Sequence, residues 1–168
     1  MEAINKDWSQ IKLRINIKTT IEKAYSAWAT QQGLEAWFLR KAPATDAQGK
    51  GRKANELLSK DDTYLWTWHG YSDDMKHEGA VLEANGKDKF AFSFSSNCPV
   101  TVSIYKEQDE VIVELIEDNI PVDNARIFKH YTSNTMGWTF FLTNLKSVLE
   151  GGLDLRNFNP SLKNVITA

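Results

Sequence analysis

The chain has 168 residues, of which 42% are hydrophobic and 25% charged, and a formal net charge of −2. That length suits one domain with a substantial core, and the composition belongs to a folded chain, not a disordered one. The near-neutral charge supplies no long-range field for nucleic acid, and no stretch approaches the ~20 apolar residues of a membrane span.

The first ten residues lack the apolar run of a signal peptide, and Cys98 is the only cysteine. No intrachain disulfide can form, which fits a reducing compartment, so a cytoplasmic location is expected. Ile11, Leu13, Ile15 and Ile17 alternate with polar residues, predicting a half-buried strand. Thr19 or Thr20 stands where an N-cap belongs, and Ile21, Ala24, Tyr25, Trp28 and Ala29 recur at helical spacing. This helix is expected to end near Gly33, with a second short helix, Leu34 to Leu39, directly after it. Pro43 to Lys53 reads as loop and ragged strand edge.

A meander follows. Thr63 to His69 alternates, with Tyr64, Trp66 and Trp68 on one face, and Gly79 to Ala84 is a short strand. Asn85-Gly86-Lys87-Asp88 carries the Asn-Gly dipeptide that hairpin turns favour. Phe90, Phe92 and Phe94 alternate next, then Val100, Val102 and Ile104, a turn from Glu107 to Glu110, and Val111 to Ile116. Strands joined by turns this short pair antiparallel. Asp118 to His130 has no period and bridges to the last helix, Thr132 to Gly151. There Trp138, Phe141, Leu142, Leu145, Val148 and Leu149 form one apolar stripe, and Gly151-Gly152 supplies the stop. The tail, with Pro160 inside it, is expected to be irregular.

These elements predict a single α+β domain over residues 1–168, with its core at about 10–156. An antiparallel sheet of six to seven strands curves around the long C-terminal helix, and two short helices follow the first strand. A bent sheet and a straight rod do not mate along their whole length, so a gap opens at one end. Trp28, Trp37 and Phe38 from the short helices and Trp66, Trp68, Phe92 and Phe94 from the strands are candidates to line it. Trp138, Phe141, Leu142 and Leu145 are the candidates from the long helix. The same side chains suit a filled core, where ring pairs add about 0.5–1.5 kcal/mol beyond burial, or an apolar pocket.

Chemistry-bearing residues are sparse. His77 beside Asp73, Asp74 and Glu78 has the composition of an acid–base pair, although such clusters in turns are ordinarily solvated. His69 falls on the face opposite Trp66 and Trp68, and Arg126 and His130 stand either at a cavity mouth or on the surface. Cys98 reads as a small strand residue. No HExxH, CxxC, GxSxG or glycine-rich phosphate loop occurs, so no catalytic residue, metal or cofactor is predicted.

Two segments carry a family resemblance. Gly33-Leu34-Glu35-Ala36-Trp37-Phe38 resembles the tryptophan-bearing second helix of START/SRPBCC domains. Gly137-Trp138-Thr139-Phe140-Phe141-Leu142-Thr143-Asn144-Leu145-Lys146, ending in Leu149-Glu150-Gly151-Gly152, is similar to the ending of the branch named for the activator of the ninety-kilodalton heat-shock protein's ATPase. The resemblance spans Gln10 to Arg156. It implies a helix-grip fold with a cavity between helix and sheet, and three kinds of function. These are binding of a small hydrophobic or amphipathic ligand, which we expect here, co-chaperone-like interaction with a chaperone partner, and cyclase- or hydrolase-like chemistry. Exposed sheet edges and a surface Trp8 also suit a homodimer.

Overall fold

A computed structural model describes residues 7–123, 127–159, 161, 162, 165 and 166. β1 (Ile11–Ile17) leads into α1 (Ile21–Ala29) and α2 (Gln31–Trp37). Then come β2 (Ala44–Thr45), β3 (Thr63–Thr67), β4 (Lys76–Ala84), β5 (Lys89–Phe94), β6 (Cys98–Glu107) and β7 (Glu110–Glu117), and last α3 (Thr132–Leu149). The strands form one antiparallel sheet in the order β1-β7-β6-β5-β4-β3-β2, so the first strand lies beside the last. The sheet is the curved half of a helix-grip fold, and α3 is the helix it holds.

Local chemistry explains most boundaries. Thr20 caps α1, its hydroxyl accepting the Lys23 N–H at 3.2 Å. The first helix ends at Ala29, earlier than the expected Gly33, because Thr30 caps a new helix by accepting the Gly33 N–H at 2.9 Å. Gly33 therefore lies inside α2, where the two helices touch. A Cβ there would stand 2.2 Å from the Ser26 carbonyl oxygen and 2.7 Å from the Ala27 Cα. Asn85 accepts the N–H groups of Lys87, Asp88 and Lys89, which closes the β4–β5 turn around Gly86 at φ +73°. Gln108 and Asp109, at φ +48° and +66°, make the β6–β7 turn with the twist that flanking strands require.

Two elements are longer or more complex than the sequence predicts. β4 begins at Lys76, not Gly79, so His77 belongs to the strand and pairs with Trp66 across β3. A register shift between Val81 and Glu83 inserts an extra residue and bends the sheet there. α3 is preceded by a π-helical turn, Ile127–Tyr131. Along α3 the stripe packs inward as expected: Trp138, Phe141, Leu142 and Leu145 are buried, and Val148 and Leu149 lie partly buried against the core.

The tail after α3 is irregular but anchored. Buried Arg156 donates to the carbonyls of Leu39 at 2.9 Å and Glu35 at 3.0 Å, while Asn144 donates to the Trp37 carbonyl at 2.7 Å. The carbonyls at the end of α2, which have no partner within their own helix, are satisfied in this way. Burial opposes ionisation of Asp154, but hydrogen bonds from Arg156 and Asn144 outweigh it and hold the carboxyl below its usual range.

Candidate functional site

The helix and sheet part at the N-terminal end of α3, leaving a cavity of about 420 Å³. Phe38, Trp68, Phe94, Trp138 and Phe141 wall it, with Ser133, Asn134 and Gly137 contributed by the helix and Tyr71 and Met75 by the loop between β3 and β4. The walls are built by rings in contact: Phe38 stands edge-on to Phe141 at 4.6 Å, and Phe94 meets Trp138 at 4.9 Å. Gly137 keeps the space open, since a Cβ there would meet nothing within 4 Å. Met75 is 55% exposed and Tyr71 41%, so the β3–β4 loop forms the rim. The volume lies within the ~300–1,000 Å³ of small-molecule sites, and no charged side chain lines it among the described residues.

Of the eleven candidates named from sequence, Phe38, Trp68, Phe94, Trp138 and Phe141 meet at this cavity. Trp28, Trp37, Trp66, Phe92, Leu142 and Leu145 lie in the filled core instead. Trp28 sits at the centre of that core, edge-on to Trp37 at 4.6 Å and stacked on Phe92 at 6.2 Å. Trp37 donates its indole N–H to the Ala27 carbonyl at 3.0 Å. Trp66 stacks on Tyr64 at 4.0 Å, and the Tyr64 hydroxyl, its pKa raised by burial, donates to the Ser93 carbonyl.

Behind the cavity wall lies a group that the sequence reading missed. Glu117, the last residue of β7, is wholly buried. Trp138 Nε1 donates to its Oε2 at 2.7 Å, and Asn134 Nδ2 contacts both oxygens at 2.8 and 3.1 Å. His130 Nε2 stands 2.9 Å from Oε1. His130, Asn134 and Trp138 recur every fourth residue, so the π turn and α3 present all three on one face. The signal was present in the strand: Val111, Val113 and Leu115 are buried at period two, and Glu117 is the next position on that face.

Of the other candidates, His130 and His77 are placed differently from expectation, while His69 and Cys98 are not. His130 is neither at the cavity mouth nor on the surface, because the π turn directs it inward onto Glu117. Arg126 lies outside the described residues. His77 is partly buried, its Nε2 3.3 Å from the Ser93 carbonyl and its ring 5.2 Å from Phe94. Of the three expected acids, Asp73 pairs with Arg40 and Glu78 with Lys76, so neither of these two is directed at His77. His69 packs edge-on against Phe158 of the tail at 4.3 Å, and burial, followed by the charge of Arg156, lowers its pKa. Cys98 is buried at the start of β6, its Sγ 3.4 Å from the Asn119 carbonyl; burial, then Glu117, raises its pKa.

A seven-stranded antiparallel sheet gripping a C-terminal helix over an aromatic cavity defines an α+β protein of the helix-grip class. The family model described as "Activator of Hsp90 ATPase homolog 1-like protein" matches residues 18–150, and the chain belongs to this family. No curated protein sequence matches the chain. Among solved structures it is similar to protein SSP2350 of Staphylococcus saprophyticus, with TM-score 0.68 and 16% identity over 88% of this chain and 96% of that one. It is similar also to the Aha1 dimer of Colwellia psychrerythraea, with TM-score 0.63 and 17% identity over 85% and 97% of the two chains. Protein NE0264 of Nitrosomonas europaea gives TM-score 0.66 at 8% identity over 86% and 96%. At these identities the likeness is one of fold. Among the described residues no helix is long and apolar enough to cross a membrane.

Proposed function

We propose that the chain binds a small, uncharged, largely apolar molecule in the cavity beneath α3. The aromatic cavity of about 420 Å³ is the observation that carries this reading. Flat faces from Phe38, Phe94 and Trp138 favour a planar or ring-containing ligand, because offset and edge-on ring contacts add to simple burial. Ser133 and Asn134 offer the few polar groups that orient such a ligand. Charged head groups are disfavoured, since an unpaired charge in an apolar site carries a large desolvation cost.

Native mass spectrometry of the purified protein, with thermal-shift titrations against fatty alcohols, sterols and uncharged aromatic polyketides, tests this reading. A co-purified ligand or a concentration-dependent rise in melting temperature is expected. A chain that carries nothing and is unmoved by all three ligand classes refutes it. The family supports a second reading, co-chaperone-like contact with a heat-shock chaperone, for which the test is pull-down with that chaperone from the same cell. The similar Aha1 of Colwellia psychrerythraea forms a dimer, and Trp8 here is 41% exposed, so we propose a homodimer, checked by sedimentation equilibrium. A cytoplasmic location is part of the same reading and fits the lone thiol.

A further inference from the structure

Cys98, Glu117 and His130 bring a sulfur, a carboxylate oxygen and a ring nitrogen to within 4.8 Å of one another, and all three residues are buried. They arrive from three places: the first residue of β6, the last residue of β7 and the π turn before α3. We propose that these three side chains form a binding site for one divalent transition-metal ion of the zinc type.

The donor set selects the ion. A thiolate is too soft a ligand for magnesium or calcium, whereas mixed sulfur, nitrogen and oxygen donors suit zinc and its neighbours cobalt and iron. Ligands about 2.0–2.3 Å from a tetrahedral ion stand roughly 3.3–3.8 Å apart, so closing this triad requires movements on the order of 1 Å. Three protein ligands leave a fourth position for water or another donor.

The surroundings act as an outer shell. Trp138 and Asn134 donate to Glu117 at 2.7 and 2.8 Å and hold its carboxylate plane in place. Donors of this kind fix a metal-binding carboxylate. Charge balances as well: a thiolate and a carboxylate together neutralise a dication, so the loaded site is close to uncharged in its buried setting. On binding, the Cys98 proton leaves to solvent, the proton between His130 Nε2 and Glu117 moves to Nδ1 or to solvent, and the freed Nε2 lone pair takes the ion.

Because Cys98 is the only thiol in the chain, one spectrum on the unaltered protein is decisive. Cobalt(II) added to reduced, chelator-treated protein should give a thiolate-to-cobalt charge-transfer band that saturates at one ion per chain and is displaced by zinc. The Cys98→Ser chain should lose the band, and His130→Gln should lose saturable binding. Asn134→Ala should weaken affinity by about 10–100-fold through the outer shell. Absence of the band in the unaltered protein overturns the proposal, whatever becomes of the variants. So does zinc binding that survives both Cys98→Ser and His130→Gln with unchanged stoichiometry. None of these outcomes depends on whether the cavity holds a ligand.

Discussion

Replacing Glu117 by glutamine keeps the side chain's shape and removes its charge and its capacity to accept at both oxygens. Those oxygens accept from Trp138 and Asn134, and His130 Nε2 stands 2.9 Å from Oε1. The glutamine amide accepts at one oxygen and presents an NH2 at the other. With its NH2 in the Oε2 position the amide faces the Trp138 N–H; turned the other way, it loses the acceptor that His130 and Asn134 share at Oε1. A buried donor without an acceptor costs about 1–3 kcal/mol, and each lost hydrogen bond to a charged group about 1.5–3 kcal/mol. Allowing for overlap between these two effects, Glu117→Gln is expected to destabilise the fold by roughly 2–4 kcal/mol. For a chain of this size that lowers the melting temperature by roughly 4–16 °C. Urea unfolding with chelator present, followed by tryptophan fluorescence, measures the change. A loss below about 1 kcal/mol would refute the reasoning, because the donors would then not converge on Glu117 as described.

Gly137→Leu should raise thermal stability, since leucine exceeds glycine in a helix interior by about 0.5–0.8 kcal/mol, while abolishing thermal shifts by any cavity ligand. A Gly137→Leu chain that still binds would place the ligand elsewhere. Gly33→Ala should cost about 1–3 kcal/mol in spite of its better helix propensity, because the Cβ collides with α1 backbone; unchanged urea unfolding would contradict the close helix contact. Asp154 has a depressed native pKa, so its contribution is present above the unfolded value near ~3.9 and disappears as pH falls. Arg156→Met leaves burial of Asp154 less opposed, so its native pKa rises toward or above the unfolded value, and the part of the stability loss on acidification that Asp154 carries should shrink or reverse. Acid unfolding curves that superimpose for the two chains would exclude the linkage. Trp138→Ala should destabilise by about 3–5 kcal/mol, read from the same urea curves; a loss under 1 kcal/mol would contradict the burial of its ring and its hydrogen bond to Glu117.

Much of the fold is legible because its signals are local. The alternation of Ile11 to Ile17, the Thr20 cap, the Asn85-Gly86 turn and the stripe from Trp138 onward each depend on a few neighbouring residues. The cavity was legible only in composition. Trp68 and Phe94 line it while Trp66 and Phe92, each two residues earlier, fill the core. That division depends on where the bent sheet leaves the helix, which no local pattern encodes. The Cys98, Glu117 and His130 cluster lay outside any motif spacing because its members come from three separate elements. A period-two reading carried one residue beyond Ile116 places a carboxylate on an apolar face, which raises the question of what satisfies it.

The pairing of β1 with β7 sets the order in which the chain can be completed. Gln10 and Asp118, 108 residues apart in sequence, are hydrogen-bonded at 2.6 Å. During synthesis β1 emerges early but has no neighbour in the sheet until β7 has left the ribosome, and α3 follows later still. Closure therefore waits on a contact of long sequence separation, which slows folding. Until then the concave apolar face is uncovered, and a chain stopped before α3 would present that face and aggregate.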